Sequence, residues 1–550
     1  MSASDATFAG QYEAYRLADL ARWNELSTAT SWLDVWDARV DARGGATVAM
    51  EAGTGASWTY EALDAIADHV AAWVHGTGDR MIALNSDNSL AFLAGAIGIL
   101  KAGACGVLIN TREPAERAAE LARRAGCRHV LGTTGLPGLQ HQRLDQVCQP
   151  SASIAPREWR AHVTLDDAAF IIFTSGTSGR SKAARFSHRR LAGAGIAWGH
   201  RTGMTPTDRC YIPLPMFHGN GLAVAFASCV EVGAVAVLRQ RFSASRFLDD
   251  VRAHRCTAVV YIGELWRYLS RQPQRDDDHD NPLRIAFGNG LGADLWQPTV
   301  QRFGLAHIVE HWGATELPAG ALLNWTDRPG FCGFVPRDHA DAAGILIVDD
   351  AFRPVPPGTP GELLLRCPAP YRGYLDADDN PPKVRTDVLE PGDHWWRSGD
   401  CLTWHADGFF TFVDRLGDSF RWKGENVSSL EVEEALHATG LVSEAVVYGV
   451  TLPHHDGKAG MASLVPLVDR NDFDAAALLE RLRGRLAPYA IPRMLRLQSE
   501  PHATTSTLKI QKQALAARGV DGADYLLIGD RYEPMSARLL AELQRGALTL

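Results

Sequence analysis

The residues best suited to chemistry lie in Ile171-Ile172-Phe173-Thr174-Ser175-Gly176-Thr177-Ser178-Gly179-Arg180-Ser181-Lys182. An apolar, strand-like run feeds a loop of glycines and hydroxyls, and the loop ends on a lysine. Such a loop can turn successive backbone N–H groups and hydroxyls toward phosphate oxygens, while Lys182 adds positive charge. The spacing is not the GxxxxGK[ST] pattern, because two residues separate Gly179 from Lys182. By composition alone the loop is a flexible turn. Its place directly after an apolar strand points to phosphate binding.

Further polar segments follow in order: Gly288-Asn289-Gly290-Leu291, His311-Trp312-Gly313-Ala314-Thr315-Glu316, Ser398-Gly399-Asp400, Asp414-Arg415-Leu416-Gly417-Asp418, and Thr504-Thr505-Ser506-Thr507-Leu508-Lys509. With the Thr174–Lys182 loop, this ordered set resembles the adenylate-forming enzymes, the superfamily of acyl-CoA synthetases, peptide-synthetase adenylation domains and luciferases. The resemblance spans residues 30 to 530, approximately. YIGELWRYL (261–269), AFGNGL (286–291) and FRWKGENV (420–427) are most similar to the fatty-acid-transport-protein, or very-long-chain acyl-CoA synthetase, branch.

The resemblance implies roles that single residues do not. Taken alone, Trp312 is a core aromatic, Asp400 a turn residue and Lys509 a solvated charge. As members of the ordered set, Thr174, Ser175, Gly176, Thr177, Ser178, Gly179 and Lys182 would hold the β- and γ-phosphates of ATP. Gly288, Asn289, Gly290 and Leu291 would line the base pocket, and Trp312 would stack on adenine. Thr315 would bond the α-phosphate, and Glu316 would hold Mg2+, a hard cation that prefers carboxylate and phosphate oxygens. Asp400 would accept the ribose hydroxyls and Arg415 would donate to them. Lys509 would reach the carboxylate and α-phosphate oxygens and stabilise the charge of the displacement. Lys512 ranks below it, because Lys509 fits the motif spacing. His218, in Pro213-Leu214-Pro215-Met216-Phe217-His218-Gly219-Asn220-Gly221, would stand beside the activated carbonyl; a structural histidine is the other reading.

The implied first step is attack of an oxyanion on the α-phosphorus of MgATP. The small domain would then rotate about Gly417, two residues after Arg415, where a glycine absorbs backbone change at little steric cost. Several positions depart from the transport-protein branch or from the wider superfamily. Leu317-Pro318 follow Glu316, Gly292 follows GNGL where that branch often has Arg, and Asn426 replaces an Arg common in the superfamily. They leave the activation chemistry expected and the substrate pocket open. Two enzyme readings therefore stand: a ligase that joins a fatty or aryl acid to CoA, and an enzyme that adenylates nitrite to diazotise an aryl amine. A nucleotide-binding protein without catalysis is the third, disfavoured by intact Glu316, Asp400, Arg415 and Lys509.

Composition sets the frame for the elements that must hold these residues. In 550 residues the hydrophobic fraction is 46% and the charged fraction 22%, which excludes disordered, fibrous and coiled-coil classes. A net charge of −9 argues against nucleic acid as a partner. Nine scattered cysteines without CxxC spacing suggest reduced thiols in the cytoplasm. No apolar run approaches the ~20 residues of a membrane span. The start, MSASDATFAGQYEAYRL, lacks a basic n-region and an apolar h-region, so neither a secretory signal nor a membrane-associating leader is expected.

Apolar runs such as GVLIN (106–110), FIIF (170–173), TAVVYI (257–262) and RIAFGNG (284–290) alternate with helical patterns at Ala91–Lys101 and Glu113–Ala125. That rhythm predicts an α/β architecture with parallel strands. After Arg415 the texture changes. Ser428-Ser429-Leu430-Glu431 reads as a capping box opening a helix to His437, followed by strands at Ala445–Val450 and Met461–Val468, a helix over Ala475–Leu486 and a strand at Arg493–Leu497. The expected organisation is a large multi-layer N-terminal α/β domain, residues 1–416, and a small mobile α+β domain, residues 417–550. The run Asp276-Asp277-Asp278-His279-Asp280 reads as a solvated acidic loop rather than a metal site.

Overall fold

The computed structural model describes residues 3–149, 154–175, 181–318, 320–422, 425–453, 455, 457–504, 512–545 and 547–548. Internal contacts divide the chain into two units. The larger comprises Met1–Leu346, Leu364–Ser398 and His405–Phe410; the smaller comprises Ile347–Leu363, Gly399–Trp404 and Thr411–Leu550.

Two sheets lie wholly in the larger unit. In one, the strand order is Leu322–Asn324, His307–Trp312, Ile285–Asn289, Ala258–Ile262, Arg209–Ile212, Val235–Leu238, Thr47–Glu51 and Ser57–Thr59. Its inner pairings are parallel and its two edge pairings antiparallel. The other runs Gln140–Arg143, His129–Gly132, Met81–Asn85, Cys105–Leu108, Ala168–Ser175 and Ser181–Ser187, parallel up to a closing hairpin between the last two. Parallel strands covered on both faces need unbroken apolar runs, and Ala258–Ile262 is buried along its whole length. The helix Leu90–Lys101 is buried at every position but Ala91 and starts where the Ser89 hydroxyl accepts the Phe92 N–H. Ser187 caps His188–Thr202 in the same way.

The smaller unit carries a sheet of Val442–Thr451, Lys458–Pro466, Met494–Leu497, Tyr525–Ile528 and Arg531–Pro534. Ser428 accepts from the Glu431 N–H and opens the helix Ser429–Ala438 as its capping pattern predicts. Val432 and Leu436 of that helix join Val446, Leu464, Leu478 and Leu495 in one apolar core. The strand expected to reach Val468 stops at Pro466, opposite Val442 at the end of its partner strand, and Leu467 and Val468 are exposed.

The acidic run needs correcting. Asp276, Asp277 and Asp280 are exposed, but Asp278 is buried and accepts from Arg302 Nε at 2.7 Å and from the Arg275 N–H at 3.1 Å. Its carboxyl is held below the usual range by those hydrogen bonds, against the opposing effect of burial. Among the described residues no three His, Cys, Asp or Glu side chains gather as a metal site, and no helix is long and apolar enough to cross a membrane. All nine cysteines are free; seven are buried, and Cys148 and Cys401 are half-buried.

Candidate active site

Tyr374 brings two of the expected residues together. Its hydroxyl donates to Glu316 Oε1 at 2.6 Å, and Lys182 Nζ lies over its ring, 5.1 Å from the centroid. Lys182 stands opposite Thr174 in the Ala168–Ser175 and Ser181–Ser187 hairpin, and Ser175 faces Ser181. Gly176, Thr177, Ser178 and Gly179, between them, lie outside the described residues. Asp379 Oδ1 sits 3.3 Å from Lys182 Nζ. Lys383 Nζ lies 3.7 Å from Glu316 Oε1, and Tyr371 donates to the Glu316 carbonyl at 2.6 Å. Burial, reinforced by the Glu316 charge, pushes both tyrosine hydroxyls upward, so they remain donors at neutral pH.

Arg190, from the first turn of His188–Thr202, donates to the carbonyls of Thr315 and Ala314, the latter at 3.1 Å. Burial lowers its pKa to about 10, which still leaves it charged. The guanidinium therefore fixes the backbone of Thr315, the residue expected at the α-phosphate. Trp312 ends its strand buried, with its ring 6.5 Å from that of Trp396 at 54°. One carboxylate without a protein cage suits Mg2+, which is usually held by one or two carboxylates together with substrate phosphates. Glu316 fits that donor set.

Gly288 and Asn289 end the strand Ile285–Asn289, and Gly290 and Leu291 turn away from it. Gly290 has φ +83°, and a Cβ on Gly263 would run into its carbonyl oxygen. Only glycines fit this crossing. Asn289 Oδ1 accepts from Asn220 Nδ2 at 2.7 Å. Asn220 opens a π-helical stretch, Asn220–Phe226, directly after His218 and Gly219, and π-turns recur at functional sites. The His218 N–H donates to the Pro215 carbonyl, and its ring centroid is 4.9 Å from that of Phe217.

In the smaller unit, Arg415 Nε approaches Asp400 Oδ1 at 3.9 Å, and the arginine side chain is 54% exposed. Gly399, at φ +76°, donates to Glu362 Oε1 at 3.2 Å. Lys512 is committed elsewhere: its Nζ is 2.9 Å from Glu433 Oε1 and donates to Ser429 Oγ at 2.7 Å. Asp414 accepts the Ser429 N–H at 2.6 Å. Lys509 lies outside the described residues. Gly417 is not in the left-handed region, and a Cβ there would meet nothing within 4 Å.

A family model described as AMP-binding enzyme matches residues 36–375, and one described as AMP-binding enzyme C-terminal domain matches residues 431–507. The chain belongs to the AMP-binding enzymes. Long-chain fatty acid transport protein 1 of Mus musculus is 34% identical over 555 aligned residues, covering 91% of this chain and 85% of the relative. Medium/long-chain-fatty-acid–CoA ligase FadD6 of Mycobacterium tuberculosis is 38% identical over 400 residues, covering 70% of this chain and 66% of the relative. Among solved structures, ATP-bound MatB from Rhodopseudomonas palustris gives a TM-score of 0.74 at 22% identity, over 88% of this chain and 98% of that one. The anthranilate CoA ligase AuaEII in complex with anthranoyl-AMP gives 0.76 at 22% identity, over 89% and 97%. At that identity the structural likeness carries the fold, an α/β assembly with a large N-terminal and a smaller C-terminal part.

In this AMP-binding enzyme the motifs pass over several residues that touch them. Tyr371, Tyr374 and Lys383 come from a segment with no phosphate-loop or metal-ligand pattern. Arg190 is one of two arginines opening a helix, and Glu310 is a charge inside the apolar strand IVEHW. A lone acid in such a run was the legible signal, since burial demands partners for it.

Proposed function

We propose that this AMP-binding enzyme is an AMP-forming ligase that activates a fatty or aryl carboxylic acid with MgATP and passes the acyl group to CoA. The observation that carries this reading is Tyr374 holding Glu316 while Lys182 lies over its ring, so a phosphate-seeking cation and a cation-seeking carboxylate share one anchor. The substrate carboxylate forms a P–O bond to the α-phosphorus as the bridging P–O bond to pyrophosphate breaks. The CoA sulfur then bonds the acyl carbon, AMP leaves with the acyl C–O electron pair, and the thiol proton passes to solvent. Catalysis is positioning and charge stabilisation, with no covalent work by the protein.

Lys182 and the 174–179 loop would hold the β- and γ-phosphates. Thr315 would bond the α-phosphate, its backbone fixed by Arg190. Glu316 would hold Mg2+, which neutralises phosphate charge when bound. Trp312 and residues 288–291 would contain the base, Asp400 and Arg415 the ribose, and His218 would face the acid. Lys509 would stabilise the first displacement; the engagement of Lys512 by Glu433 supports that choice. Residues 417–550 would act as the mobile domain, turning at Gly417. Nine free cysteines suit the reducing cytoplasm.

The test is a panel of fatty and aryl acids, with nitrite plus aryl amine as a separate arm, each with and without CoA and read by mass spectrometry. Acid-dependent pyrophosphate and AMP release with CoA thioester formation is expected. Nitrite and amine consumed by ATP without CoA would replace this reading with diazotisation.

A further inference from the structure

Glu310 is a buried acid that none of these steps uses. It lies in His307–Trp312, the strand beside Ile285–Asn289, and both strands run parallel. Its Oε1 accepts two successive backbone amides, those of Gly290 and Leu291, the second at 3.3 Å. Its Oε2 accepts the hydroxyl of Tyr261, from the next strand, Ala258–Ile262. Consecutive amides next to a positive-φ glycine form a concavity for an anion, and here the chain's own carboxyl fills it. The Gly263 crossing closes the turn from the side. The two amides are therefore satisfied within the chain and the Gly290 carbonyl lies against Gly263, so the course of the turn is set at the strand ends, where open parallel sheets bind ligands.

We infer that Glu310, steadied by Tyr261, is the positioning residue for the 289–292 turn and thereby sets the wall that the nucleotide meets. The inference rests on the ligase reading only for what occupies the site. Its effect should fall on substrate affinity rather than turnover, because Glu310 touches no reacting atom. Gln is the conservative replacement: its Oε1 can take both amides while its amide group donates to the Tyr261 oxygen.

The experiment compares wild type, Glu310→Ala, Glu310→Gln and Tyr261→Phe in acid-dependent ATP–pyrophosphate exchange, with hydrogen exchange at the Gly290 and Leu291 amides. Glu310→Ala should raise KM for ATP about 10- to 100-fold while kcat stays within about threefold. It should also speed exchange at both amides. Glu310→Gln should restore both readouts to near wild type, and Tyr261→Phe should fall between. An unchanged KM with kcat lowered would overturn the inference, as would a Gln variant as impaired as Ala or amide protection that survives in Glu310→Ala. A wild type inactive with every acid would sink the ligase reading instead, and the amide exchange would still judge Glu310.

Discussion

The residues expected at the phosphates and those expected at the ribose are prepared in opposite ways. In the larger unit Glu316, Lys182 and the Thr315 backbone each have partners in place: Tyr374 and Lys383, Asp379, and Arg190. In the smaller unit Arg415 is half-exposed and reaches Asp400 only at 3.9 Å, a surface pairing worth ~0–1 kcal/mol. The first region has met its ordering cost during folding, so a nucleotide finds donors and acceptors oriented. The second leaves the Arg415 side chain to be ordered by the ligand.

The largest effect should come from Lys509→Ala, which tests whether the smaller unit supplies chemistry at all. Loss of a preorganised cation at the displacement should lower pyrophosphate exchange about 10²- to 10³-fold with melting unchanged. An unaffected rate would remove Lys509 from the mechanism and leave the larger unit to act alone. Next is Arg190→Met, which strands two carbonyls. It should cost about 2–3 kcal/mol in denaturant unfolding and lower exchange about 10-fold, and unchanged unfolding would show that Arg190 does not prepare the region. Arg415→Ala should raise KM for ATP about fivefold, roughly one hydrogen bond, while leaving stability alone. A stability loss there would erase the contrast between the units.

A pH slope tests the buried acid Glu310 without a substitution at either region. Burial raises the Glu310 carboxyl from 4.5 to about 8, so the folded state keeps a proton that the unfolded chain releases near 4.5. Stability should therefore fall as pH climbs from about 5 through 8 and level off above. The drop is about 1.4 kcal/mol for each pH unit between those two values, about 5 kcal/mol in all, and should be missing in Glu310→Gln. A flat wild-type profile from pH 5 to 8 would count against the buried acid.

The local parts of this picture were legible in the sequence. Ser428 three residues before Glu431 is a capping box wherever it falls, and unbroken apolar runs such as AVVYI predict covered parallel strands. The glycines of 288–290 were visible as well. What bound them was not, because Glu310 reaches Gly290 from the neighbouring strand, 20 positions away, and Tyr374 reaches Glu316 from 58 positions away. Asp278 shows the converse: its neighbours in sequence suggested a solvated loop, and a distant arginine, Arg302, decided otherwise.

The distribution of thiols has a practical consequence. Of the nine sulfhydryls only Cys148 and Cys401 are not buried, and one falls in each unit. Cys401 directly follows Asp400, and burial, with Asp414, Asp350, Asp400 and Glu362 around it, raises its pKa to about 11, so alkylation there is slow until that surrounding charge changes. Burial also raises the Cys148 thiol, to about 12, so each unit carries one half-buried, slowly reacting thiol, and a change in the Cys401 rate would report on the neighbourhood of Asp400 as ligand arrives.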